Sequence, residues 1–185
     1  MITKKFRHIL PLSLSLFFYL VAQTGPAFAK DHSAGEKMIR DLNDQIVAAN
    51  ERRDLPAALQ AAEKAVQVAK TEFGENSLEA ADTMNNLANL YLYLKRAAEA
   101  EQIYKQAILI DLVKLDREGV EMAAIYFNLG VAYAMQKKYT DAINILNKAL
   151  NIRLKKLGRD DPATKNVEQM IAELTSLAYP KTEKI

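Results

Sequence analysis

The chain has 185 residues, half of them hydrophobic, and carries 25 basic against 23 acidic side chains. Such a length and balance describe one domain with ample apolar material for a core, and give no electrostatic reason to expect nucleic acid. With no cysteine, a disulfide framework and a thiol nucleophile are excluded, while only 6 glycines and 5 prolines favour helix over strand.

Residues 1–29 read as a signal peptide. Lys4, Lys5 and Arg7 form a basic start, Ile9 to Ala22 an apolar run, and Ala27-Phe28-Ala29 a small-residue cleavage motif. The apolar run is about 14 residues, short of the roughly 20 that a spanning helix needs. The expectation is cleavage after Ala29 and a periplasmic or secreted product; an uncleaved leader is the one route to a membrane location. Removing those three cations leaves 22 basic and 23 acidic residues, a nearly neutral chain.

Beyond the leader, apolar periodicity predicts seven helices, over 34–52, 56–72, 77–95, 97–114, 119–136, 139–156 and 161–177. Gly74 and Gly158 follow helical runs at equivalent positions, where a left-handed residue ends a helix cheaply; the middle counterpart is Asp116. Asn76 and Glu79 have capping-box spacing, and Asp161-Pro162 reads as an N-cap followed by a first-turn proline. In the seventh helix Val167, Met170, Ile171, Leu174 and Ala178 make one apolar stripe, so its other face should end the fold in water. The tail, residues 179–185, is polar and is expected to be disordered.

These helices repeat every 42 residues. Ala58, Ala100 and Ala142 share one phase; Ala65, Ala107 and Ala149 share another, and Asn86, Leu87 and Tyr91 recur as Asn128, Leu129 and Tyr133. Self-similarity at a fixed period of this size is the mark of a stacked solenoid. Leu87, Ala88, Tyr91, Ala100, Tyr104 and Ala107, and again Leu129, Gly130, Tyr133, Ala142, Leu146 and Ala149, resemble the tetratricopeptide helix–turn–helix pattern. The long period and the stretch TMNNLANLY resemble the subclass found in kinesin light chains. The resemblance implies an all-α, right-handed solenoid over 30–178, with repeats at 34–75, 76–117 and 118–159 and a capping helix at 161–177. It is weakest in the first repeat, where Gln45, Ile46 and Ala49 replace the motif residues.

Little points to chemistry. One histidine, His32, remains after the leader, so Ser-His nucleophile arrangements and ordinary zinc sites are absent. Six scattered glycines make no phosphate loop, and no cofactor is expected. Glu99 and Glu101 read as a solvated helix face, Asp160 and Asp161 as a helix start.

What the resemblance does imply is a partner surface on the first helix of each pair. Its inward positions fall on Arg40, Asn43, Val47 and Asn50, then Asp82, Asn85, Asn89 and Tyr93, then Ala124, Phe127, Val131 and Met135. Asn86 and Asn128 resemble asparagines that hold a ligand's backbone in related repeats, since an amide donates and accepts at once. The same amides could instead tie neighbouring helices. Phe127, Val131 and Met135 could form an apolar pocket or lie under the last helix. Arg40 stands nearly alone as an inward cation, so a carboxylate-clamping groove is not expected. The function expected is a non-catalytic scaffold that binds a peptide or helix of another protein; the alternatives are a self-associating scaffold and an accessory subunit of an envelope or secretion complex.

Overall fold

The computed structural model describes residues 33–114 and 119–180. The leader, Asp116 and residues 181–185 of the tail lie outside that range. Seven α-helices and no strand occur among the described residues: α1 Ser33–Glu51, α2 Leu55–Phe73, α3 Leu78–Tyr93, α4 Ala97–Lys114, α5 Val120–Met135, α6 Tyr139–Lys156 and α7 Pro162–Ala178. No expected boundary is off by more than two residues. From α2 onward each helix packs on the next in the chain, and α3 also touches α5. Contact between neighbours alone is what distinguishes a solenoid from a globule with one centre.

Within each pair the contact is made by the smallest side chains. Ala58, Ala100 and Ala142 are fully buried, as are Ala107 and Ala149. Tyr104 and Leu146, one turn along from Ala100 and Ala142, are fully buried too and fill the space around them. Gly130 shows how tight the approach is. A Cβ added there would sit 2.6 Å from Leu146 Cγ and 3.5 Å from the Ala142 carbonyl. At the start of the array Gly35 brings α1 onto α2 in the same way, its missing Cβ falling 2.9 Å from Glu72 Cβ. In the first repeat Gln45 is exposed, and Leu42 and Ile46 supply the burial instead.

The turn inside each pair is three residues long and recurs at the 42-residue period. Arg53, Lys95 and Lys137 hold φ of 57°, 60° and 62°. The following amide, of Asp54, Arg96 or Lys138, donates back to the carbonyl of Ala49, Tyr91 or Tyr133 at 2.8–2.9 Å. That long backward bond is the Schellman closure of a helix end, and it needs a left-handed residue. Gly is the cheapest residue for the job, yet all three positions are basic. Gly74 and Gly158 have positive φ, as their positions predicted, and end α2 and α6. Asp161 caps α7, accepting from the amides of Ala163 and Thr164 at 2.8 and 3.1 Å. The cap of α3 is Ser77, not Asn76: its hydroxyl accepts from Ala80 N at 3.1 Å, because the helix begins one residue later than the Asn76–Glu79 spacing suggested.

Buried Ala100 and exposed Glu99 sit side by side on α4, which permits a direct test of the packing. Ala100→Leu should cost about 1–3 kcal/mol through overpacking, and lower the melting temperature by several degrees. Glu99→Gln loses only an exposed ion pair with Arg96 and should shift melting by roughly a degree or less. Superimposable thermal curves by circular dichroism would contradict the contact described.

Candidate functional site

The first helices α1, α3 and α5 carry the nine residues expected to face a partner. Asn43 and Asn86 are half-buried, and Tyr93 is 46 % exposed. Asn85 is buried, and its side-chain carbonyl oxygen has no hydrogen-bond partner. The third-repeat group is more closed. Phe127 and Val131 are buried and Met135 half-buried. The Arg153 guanidinium stacks 5.0 Å from the centre of the Phe127 ring and donates to the Ala163 carbonyl at the start of α7.

Asn89 and Asn128 are joined to each other. The Asn128 amide donates to Asn89 Oδ1 at 2.9 Å, and the same oxygen accepts from the Tyr104 hydroxyl. Burial pushes the Tyr104 phenol well above its ordinary pKa, so it remains a donor. Asn128 thus ties α5 to α3, and its recurrence with Asn86 reflects a shared phase and not a shared contact. Among the described residues Asn86 has no such bond, which leaves its amide available.

A second set of polar bonds joins successive repeats. Tyr91 donates to Glu63 on α2 at 3.2 Å, with the Arg96 guanidinium 4.5 Å over its ring. One period later Lys105 and Lys138 lie 5.5 and 5.6 Å from the Tyr133 ring. Between α4 and α5 sits Glu101, only 4 % exposed. It accepts from Lys105 at 2.5 Å, and from Lys138 and Gln136 at 2.8 Å each. Burial alone would raise its pKa, but these three donors outweigh that and hold the carboxyl down at about 2.

This corrects the expectation that Glu101 belongs to a solvated face. The signal was present in the repeat: Leu59 and Ile143 occupy the same phase, so an acid there stands in an apolar column. Such an acid must be paired to be tolerated.

Asp82, on α3, is of the opposite kind. The residue is exposed, yet protein crowding around its carboxyl raises the pKa to about 6, and the nearby Glu79 and Glu121 carboxylates add to the rise. Among the described residues no cation pairs with any of the three. No three His, Cys, Asp or Glu side chains converge there as a metal set. A separate open depression of about 750 Å³ lies near the α2–α3 loop and the end of α4, with Met84 and Ile110 among its lining and Lys70, Glu75 and Gln106 at its polar parts.

The tetratricopeptide repeat family model matches residues 42–111 and 121–178. Among solved structures, a protein of Podosopora anserina described as a kinesin light chain with nearly identical TPR-like repeats superposes with a TM-score of 0.71 at 17% identity, over 81% of this chain and 69% of its own. BtubC of P. vanneervenii superposes at 0.70 with 20% identity, over 91% of this chain and 66% of its own. The TPR2B domain of yeast Sti1, solved as a complex with pHsp70, gives 0.57 at 16% identity over 76% of this chain and 98% of its own. The chain spans about two thirds of the first two, and at these identities the likeness concerns the fold. Among curated proteins none matches significantly.

Because the Glu101 pKa is lower in the folded chain than in the unfolded one, its stabilisation is present in full above the unfolded value. It is lost as the pH falls from about 5 towards 2. The contribution is on the order of 3 kcal/mol. In urea titrations across that window the native protein should therefore lose more stability than Glu101→Gln does. Parallel losses in the two proteins would remove Glu101 from its assigned role.

Proposed function

The chain belongs to the tetratricopeptide repeat family, and from that premise we propose that it is an exported adaptor whose first helices grip a peptide or helix of another protein. The observation that carries this reading is the split among the inner asparagines. Asn89 and Asn128 are committed to holding α3 and α5 together, whereas Asn86 and the exposed Tyr93 on α3, and Asn43 on α1, make no side-chain hydrogen bond among the described residues. An accessible amide row next to an aromatic on a rigid helix suits an extended backbone, whose N–H and C=O groups both need partners. The Sti1 domain was solved with pHsp70; by analogy the present chain takes a polypeptide ligand, and no catalytic role is proposed. Its inner face offers Asp82 where a carboxylate-binding groove would need cations.

Export rests on the leader. The native protein isolated from its source should begin at Lys30 by mass spectrometry, and an end at Met1 or Ile2 would replace export with anchoring.

Partner binding is tested by placing a photo-cross-linking residue at Tyr93 in one variant. In another it replaces Gln102, which is exposed on the second helix of the same pair. Irradiation in native extract should give adducts at position 93 and not at 102. Equal labelling at both, or adducts of the protein with itself alone, would overturn the proposal in favour of another surface or of self-association.

A further inference from the structure

We propose that the inner face of α3 contains a subsite for a basic side chain, a lysine or arginine of the bound peptide, which pairs with Asp82 and donates to the Asn85 carbonyl oxygen. The inference rests on reading the first helices as the binding face. Asp82 and Asn85 are three residues apart, so they lie one above the other on one side of the helix. Asn86, Asn89 and Tyr93 continue the same stripe.

Two independent observations point to the ligand. The first is Asn85: it is 7 % exposed, and its buried side-chain oxygen accepts from nothing. A buried acceptor without a donor is costly, and most buried polar groups have partners. The second is an uncompensated negative field. Glu79 and Glu121 lie in the first turns of α3 and α5, where a helix dipole favours a carboxylate. Asp82 lies beyond that turn, and the two glutamates beside it only oppose its ionisation. Some acidic side chains of the array are met by cations, as Asp41 is by Lys37 and Glu101 by Lys105 and Lys138, but among the described residues Glu79, Asp82 and Glu121 stand together without one.

An ammonium or guanidinium answers both needs at once, because it carries positive charge and several N–H donors. A carboxylate ligand would add a further negative charge to three. A free amine would leave the rest of the stripe unused, which is why the occupant is a peptide. From Asp82 to Tyr93 the helix rises roughly 16 Å, the reach of about five extended residues. The basic residue should therefore stand about five positions from the residue that meets Tyr93.

The test is selection of a phage-displayed random dodecapeptide library on the full chain, followed by fluorescence anisotropy with the winning peptide. The winners should share Lys or Arg at one position. Replacing that residue by norleucine should weaken binding about tenfold or more, and Asp82→Asn should do the same. The two changes together should lose little beyond either alone, as expected when each removes one partner of a single contact. Melting curves establish that Asp82→Asn is folded. Winners that depend on Tyr93 and Asn86 but show no basic preference would overturn the subsite and leave the groove standing. Winners indifferent to Asp82, Asn86 and Tyr93 alike, or no winners, would overturn the groove and the subsite together.

Discussion

Backbone-to-backbone approach within a helix pair is the contact on which everything else in this chain depends. At Ala58, Ala100 and Ala142 two helices meet across a methyl group, and at Gly130 across less than that. Close approach lets Tyr104 and Leu146 sink completely between the helices. It fixes the crossing geometry of one pair, and the 42-residue period passes that geometry to the next. The pair is thus the unit of stability, and the array is held by contacts between adjacent units.

Adjacent units are sewn by polar bonds whose geometry repeats while their chemistry changes. Tyr91 and Tyr133 occupy one phase, as do Arg96 and Lys138, each cation lying over its tyrosine. The group that comes from the preceding pair is Glu63 in one case and Lys105 in the other. With a cation where an anion had been, the second junction needs a negative charge of its own, and Glu101 supplies it between Lys105 and Lys138. The inner face inherits this division: it is acidic and amide-rich on α3, apolar and largely closed on α5.

Most of the fold was legible in the sequence because the forces that define it are local or periodic. Apolar phase placed the seven helices, and Gly74, Gly158 and Asp161 marked ends by backbone and capping chemistry that one residue type performs best. Lys95 was not legible as a turn residue, since nothing in a lysine's chemistry announces a left-handed backbone; only the recurrence of Arg53 and Lys137 at the same interval hints at it. The candidate site was legible as a set of positions and not as a set of roles. Asn128 and Asn85 are the same residue type on equivalent helices. One is engaged by Asn89 from another repeat, and the other is left without a partner for its oxygen. Which of them is engaged depends on contacts across 39 residues of chain, and those belong to the assembled array.

The junction at Glu101 gives the array one seam whose strength depends on charge. In a linear stack each interface opens on its own account, so the weakest one decides where the molecule divides. Leu59 and Ile143 keep the corresponding columns apolar in the other repeats, and proton activity does not act on them. Protonating Glu101 therefore weakens the seam between α4 and α5, where Lys105 and Lys138 lose their counter-ion. The amide-rich half of the inner face lies on one side of that seam and the apolar half on the other. A ligand lying across both halves would add its own contacts to that seam.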